Sequence, residues 1–180
     1  YRESIPDSLA YKTDHGRTVF GGGGILPDYV VQPDTTALTH LVRSGLDYAF
    51  ARKWFTTHET KLRSNWQERP EKFEASYAVS DNMLDEFWAF AEENGVTITE
   101  SADSVDVSDR VYSMATAREQ QDFVATRVKG YLARLMYGRG VARPILNQAD
   151  PVFQEAMSLW SSSRELAAYH MGPSSTVPQN

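Results

Sequence analysis

The sequence predicts a mainly α fold: a multi-helix C-terminal domain with a small β hairpin on its N-terminal side. Three observations predict it. After Asp34, apolar residues recur at helical spacing over most of the chain. Capping residues stand where several of those runs begin, Asp150-Pro151 being the clearest pair. Between Tyr11 and Val31, by contrast, short extended runs surround Asp14-His15-Gly16 and the consecutive glycines Gly21–Gly24. That chemistry suits tight turns and close backbone approach. The implied division is 1–34 for the strands, 35–171 for the helical domain and 172–180 for a flexible tail without periodicity.

The elements follow in order. Residues 1–8 are polar, broken by Pro6, and read as a loop. Ser8–Tyr11 and Arg17–Phe20 form the hairpin strands, and Tyr29–Val31 is a further extended run. A lone hairpin is marginal in water, so this piece needs a sheet or helices to lie against. Pro33-Asp34-Thr35-Thr36 starts a helix, with Asp34 or Thr35 as N-cap, that runs to a break at Ser44-Gly45. The next helix spans Leu46 to about Trp66. Its apolar face is expected to hold Leu46, Ala49, Phe50, Lys53, Trp54, Thr57 and Lys61, widened by Tyr48, Phe55 and Leu62. Pro70 starts a short helix through Phe73 to Tyr77.

Ser80 caps a helix whose stripe is Met83, Leu84, Phe87, Trp88, Phe90 and Ala91, stopped by Asn94-Gly95. Val96 to Val107 reads as an acidic linker or loop. Ser108 is expected to cap a long helix ending near Gly138, with Val111, Met114, Ala115, Val124, Ala125, Val128, Leu132 and Leu135 on its apolar side. Arg118 and Gln121 interrupt that side. A shorter helix covers Ala142 to Gln148. On the helix after Pro151, Val152, Phe153, Ala156, Met157, Leu159 and Trp160 are expected to face inward. No internal repeat is visible.

Composition narrows the function classes. The chain has 180 residues, enough for one domain with a sizeable core or a small piece plus a domain. A net charge of −6 argues against nucleic acid as partner, since phosphate backbones need a cationic face. With no cysteine, the chain has neither disulfides, thiol catalysis nor thiolate metal sites. No apolar run reaches the roughly 18 residues of a membrane helix. The chain opens at Tyr1 without Met, and is expected to be a fragment of a longer product.

The search for chemistry is mostly negative. Gly21–Gly24 leads into Ile25-Leu26-Pro27-Asp28, which fits neither a Walker loop nor a dinucleotide fingerprint, so a structural turn is favoured over an anion cradle. His58-Glu59 begins like a zinc-protease helix, but Leu62 stands where the second ligand belongs. The histidines at 15, 40, 58 and 170 are scattered and read as surface or core-edge residues. Asp103, Asp106 and Asp109 are three apart and lack the calcium-loop glycine, so they read as a solvated loop. No Gly-x-Ser-x-Gly elbow and no Ser-x-x-Lys occurs. From its own residues the chain is expected to hold no catalytic, cofactor-binding or metal site.

The β segment nevertheless resembles a family. Lys12-Thr13, then Gly16-Arg17-Thr18-Val19-Phe20-Gly21-Gly22-Gly23-Gly24-Ile25 and Pro27-Asp28, looks like the end of the peptidase core in C-terminal processing (tail-specific) serine peptidases. The helical part is similar to the extension that longer bacterial members carry, through Leu41-Val42-Arg43-Ser44-Gly45-Leu46, Val79-Ser80-Asp81 with Leu84, and Asp150-Pro151-Val152-Phe153. The resemblance runs from about Pro6 to about Trp160, and the glycine block is its most specific part.

It implies a parent endopeptidase with a serine nucleophile and a lysine base, whose buried amine loses its proton because desolvation disfavours the ammonium. Residues 1–34 would be the incomplete terminal strands of that core. It also implies an upstream peptide-docking domain that adds the substrate's tail as a strand, and protein or peptide substrates reached through the upstream domains. The implied location is periplasmic or exported, with membrane attachment through an N-terminal segment. None of the lysines at 12, 53, 61, 72 and 129 lies in a matching context, so no catalytic role carries over. The chain alone is expected to be inactive and to scaffold the protease, assemble it (a homo-oligomer included) or gate it. The alternative is a helical protein-binding module that recruits a partner through exposed aromatics such as Trp66 or Trp160.

Overall fold

The computed structural model describes residues 6–13, 16, 18–21, 29–31, 38–100 and 111–164. The chain divides into two compact units, one made of Pro33–Gln154 and the other of Tyr1–Gln32 with Glu155–Asn180. The fold is mainly α, with a two-stranded hairpin near the N-terminus.

In the smaller unit a 3-10 turn, Asp7–Leu9, leads into β1, Ala10–Lys12, which pairs antiparallel with β2, Thr18–Phe20. The register sets Ala10 opposite Phe20 and Lys12 opposite Thr18. The first strand starts two residues later than the alternation suggests. Leu9 N–H donates to the Pro6 carbonyl at 3.0 Å and so belongs to the turn, while its own carbonyl accepts from Gly21 N–H at 2.8 Å. Gly21 sits against the Tyr11 ring, which comes within 2.9 Å of where a Cβ would stand, so close approach explains a glycine there. Gly22–Gly24, Asp14 and His15 lie outside the described residues.

The larger unit is a helical body. Its elements are α1 (Leu38–Ser44), α2 (Leu46–Trp66), α3 (Pro70–Ser76), α4 (Asp81–Glu93), β3 (Thr97–Thr99), β4 (Val111–Ser113), α5 (Met114–Glu119), α6 (Gln121–Tyr137) and α7 (Arg139–Gln148). Helix α8, Pro151–Ser158, follows. Gly45 breaks α1 from α2 at φ +70°, as the Ser44-Gly45 pair suggested. The caps proposed at Asp34 and Thr35 lie outside the described residues.

Helix α6 is the centre of this unit, packing on α2, α3, α4, α5 and α7. It can do so because Val124, Val128, Leu132 and Ala133 bury one face and Gly130 opens another. At Gly130 a Cβ would lie 2.5 Å from Leu146 Cδ2, so the missing side chain is what lets α7 close on α6. Phe50, Phe73, Phe87, Met83 and Tyr112 fill the core between the helices. Burying each such side chain is worth about 1.5–3 kcal/mol. Phe50 meets Phe87 edge-on at 5.4 Å, and Phe73 stacks on Tyr77 at 4.4 Å.

Three expectations are corrected. First, the span read as a linker followed by one long helix from Ser108 contains a parallel strand pair instead. Ile98 faces Tyr112, and Thr99 faces Ser113. Tyr112 is almost wholly buried, and three-residue strands are too short for alternation to show in sequence. The helix cap is Ser113, whose Oγ accepts from Thr116 N–H at 3.0 Å, and a break at Gln120 separates α5 from α6. Val111 is therefore a strand residue, and Met114 is exposed.

Second, the buried face of α2 is Leu46, Asp47, Phe50, Ala51, Phe55 and Leu62, rotated from the expected one. Lys53, Thr57 and Lys61 are exposed, and Asp47, which was not placed on the expected face, is buried. Third, α8 buries none of its residues: Val152, Phe153 and Met157 are exposed, and so is Trp160 beyond its end, at 63%. Its cap forms as expected, Asp150 Oδ1 accepting from Val152 N–H at 2.9 Å and Phe153 N–H at 3.1 Å. Helix α7 also begins three residues earlier than Ala142.

Candidate functional site

The densest polar arrangement in the helical body joins α2 to α6. Asp47 stands in the first turn of α2 with its carboxylate buried. Its Oδ1 accepts from Tyr48 N–H at 2.8 Å and its Oδ2 from Arg127 Nε at 2.5 Å. Arg127 in turn donates to the Tyr131 hydroxyl at 2.9 Å. Burial, reinforced by the nearby Asp47 charge, pushes the Tyr131 phenol above its ordinary range, while Arg127 and Arg134 pull the other way. Tyr131 meets Tyr48 edge-on at 5.2 Å, and the Arg134 guanidinium lies over the Tyr48 ring at 5.8 Å. Both carboxylate oxygens of Asp47 are engaged, and no buried side-chain nitrogen or oxygen among the described residues lacks a partner, which is the arrangement of a structural clamp.

Beyond Arg134 the surface opens into a cavity of about 470 Å³ lined by Arg134, Arg139, Gly140, Ala142, Arg143 and Leu146. Among these described residues α6 supplies Arg134 and α7 the others, with Arg139 and Arg143 one turn apart on the same face.

The residues weighed from sequence are not brought together. His58 stacks on Trp54 at 3.8 Å and its Nδ1 lies 3.0 Å from the Trp54 carbonyl, a local helical contact. His40 lies in α1; His15, His170 and the aspartates at 103, 106 and 109 lie outside the described residues. Among the described residues no group of three or more His, Asp or Glu side chains converges as a metal site.

Of the lysines, Lys12 is exposed on β1, and Lys53 pairs with Glu93 at 3.6 Å while lying over the Phe90 ring. Lys61 and Lys72 are exposed. Lys129 donates to the Glu74 carbonyl at 2.7 Å; burial pushes its amine down, opposed by the Glu74 charge. The hydroxyls of Ser44, Ser64 and Ser76 each donate to a backbone carbonyl three or four residues back. Trp66 is half-buried, edge-on to Phe73 and Tyr77, so it is a core residue and not an exposed aromatic; Trp160 is exposed.

Sequence reading missed the three arginines around the cavity. The i, i+4 spacing of Arg139 and Arg143 was visible, but Arg134 joins them only through the turn at Gly138. The Asp47–Arg127 pair, eighty residues apart, leaves no local signature. In the smaller unit, Tyr29 donates to Glu155 Oε1 at 2.7 Å, and that bond raises the phenol's pKa. No helix among the described residues is long and apolar enough to cross a membrane.

Neither the curated proteins nor the solved structures yield a match to this chain. Residues 37–138, more than half of the 180, match the model of a "Family of unknown function (DUF8443)", and the chain belongs to that family.

Proposed function

We propose that the chain is the carboxyl-terminal part of a C-terminal processing (tail-specific) serine endopeptidase of the Ser-Lys type, acting on exported proteins. This part is non-catalytic and scaffolds, assembles or gates the enzyme. One observation carries the reading: β2 ends at Phe20, immediately before the glycine block whose residues resemble the end of that peptidase core. The hairpin's properties support it. Two three-residue strands with Tyr11 at 59% and Val19 at 39% exposure bury too little to stand alone, and an apolar strand pair with open edges is suited to extend a larger sheet. The engaged serine hydroxyls and the lysine placements are compatible with nucleophile and base both lying upstream.

The test starts with the intact mass and N-terminal sequence of the natural protein. It continues with peptide cleavage by the longer product, by its Ser→Ala and Lys→Ala variants, and by this chain alone. The expected result is a heavier natural product whose cleavage is lost in both variants, with none from the 180-residue chain. A natural product beginning near Tyr1, or serine-peptidase turnover by this chain, overturns the reading. Deleting residues 35–171 from the longer protein tests the accessory role; unchanged activity and assembly would remove it.

A second reading, a helical protein-binding module without a peptidase parent, is favoured by α8. Its Val152, Phe153 and Met157 are exposed apolar side chains on one short helix, and Trp160, two residues beyond its end, is exposed as well. A stable dimer or partner complex lost on Phe153→Ser/Trp160→Ser, with no upstream peptidase core, would establish it.

A further inference from the structure

We propose that the cavity between α6 and α7 is a binding site for a small phosphate-bearing ligand, held by Arg134, Arg139 and Arg143. The proposal does not rest on a peptidase parent, since the described residues that line the cavity lie between 134 and 146 of the helical body.

Charge makes the first argument. Acidic residues outnumber basic ones, 24 to 18, so a local cluster of arginines runs against the chain's overall charge. Arg63 takes Glu59 and Arg127 takes Asp47. Among the described residues Arg43, Arg52, Arg69, Arg118 and Arg164 also lack a carboxylate partner, but Arg134, Arg139 and Arg143 alone combine that with a shared place on the border of one concavity. Unpaired like charges raise each other's energy, a cost that a bound anion removes.

Shape makes the second. The Arg134 guanidinium lies over the Tyr48 ring, and that ring is in turn met edge-on by Tyr131. One guanidinium is thereby positioned before any ligand arrives, which lowers the ordering cost of binding. Ala142 is buried at the base of α7, and Leu146 adds an apolar wall pressed against Gly130. Gly140 contributes no side chain, and a Cβ there would meet nothing within 4 Å, so that side of the cavity stays open.

Ligand class follows from the donors. A guanidinium presents planar N–H forks that match the oxygens of phosphate, and it is weakly hydrated, so contact costs little desolvation. Three cations exceed what one carboxylate neutralises; a phosphomonoester carries about −1.5 to −2 at neutral pH with three acceptor oxygens, and a diphosphate carries more. A volume of about 470 Å³ exceeds a bare phosphate and leaves room for an organic body against Ala142 and Leu146.

The experiment is calorimetric titration of the full chain with inorganic pyrophosphate, with citrate as a tricarboxylate control. The variants are Arg139→Ser/Arg143→Ser and, as a basic control away from the cavity, Lys53→Ser. All of these positions are exposed, and matched thermal melts establish that each variant is folded. Expected are saturable one-site binding of pyrophosphate and a loss of about tenfold or more in the double variant, which removes charge-assisted hydrogen bonds. Lys53→Ser is expected to bind as the parent does. The proposal is overturned by no saturable binding up to roughly 10 mM pyrophosphate, the limit of a meaningful site. Undiminished binding in the double variant, or citrate binding as tightly as pyrophosphate, overturns it equally.

Discussion

Arg127, on the central helix, places its Nε against the carboxylate of Asp47, eighty residues earlier, and the two side chains are among the least exposed charges in the helical body. Removing one partner leaves the other buried and unpaired, which typically costs about 3–5 kcal/mol. Asp47→Ala is therefore expected to destabilise strongly in urea denaturation. The double change Asp47→Leu/Arg127→Met is expected to recover most of that loss, because no stranded charge remains. A double variant as unstable as the sum of its singles would show that the two side chains are not energetically coupled, and would overturn this account.

Gly130 and Leu146 form the contact that seats α7. Alanine at 130 gains about 1 kcal/mol in helix propensity, but its Cβ meets Leu146 Cγ at 2.6 Å, near the root of that side chain. Overpacking of this kind costs about 1–3 kcal/mol, so Gly130→Ala is expected to be net destabilising. In the Leu146→Ala background the clash is gone, and the same substitution is expected to become neutral or stabilising. A thermodynamic cycle from four chemical denaturation curves measures the change of sign.

Ser113, not Ser108, caps the helix after β4. Ser113 Oγ accepts from Thr116 N–H and lies 2.9 Å from Thr116 Oγ1. Ser113→Ala is expected to cost about 1 kcal/mol or somewhat more, as for a lost cap with buried surroundings. Urea denaturation of Ser113→Ala beside the parent chain checks this, and an unchanged midpoint would show that the cap contributes nothing.

Tyr77 lies against Phe73 and Trp66 with its hydroxyl 3.9 Å from Met83 Sδ, and burial raises its pKa from 10.0 to about 12. Below pH 10 the phenol is neutral in folded and unfolded chains alike, so its contribution is fully present. As pH rises from about 10 toward 12 the unfolded chain ionises first, and stability falls by up to about 2–3 kcal/mol. Tyr131 and Tyr137, also raised by burial, act in the same direction. Denaturation at stepped alkaline pH should show this decline, and Tyr77→Phe should flatten part of it.

How much of this was legible beforehand depends on where the determining contact lies. Ser80, Gly45, Pro70 and Asp150 act within one helical turn, and their roles were readable directly. The β3–β4 pair was not, because Ile98 and Tyr112 form strands only by lying beside each other, and neither segment repeats long enough to show a period. Asp47 went unread for a related reason: a carboxylate early in a helix looks like an ordinary surface residue until Arg127 is beside it. Helix α8 shows the opposite failure. Its apolar periodicity is real, but periodicity records that a face is apolar and not what covers it. The arginine cavity escaped because the sequence-level charge, −6, averages over the surface that holds it.

The break at Gly45 has a stereochemical consequence. With φ +70° and nothing within 4 Å of a Cβ position, the site has ample room, so the obstacle to any substituent is handedness alone. L-alanine at this position is expected to cost about 1–2 kcal/mol, the penalty of the left-handed region. D-alanine, placed there by chemical ligation, favours that same region and restricts the unfolded chain, so it is expected to stabilise by about 0.4–1 kcal/mol. The corner between α1 and α2 is thus a mirror-image position in an otherwise L-configured path, filled by the one residue that has no hand.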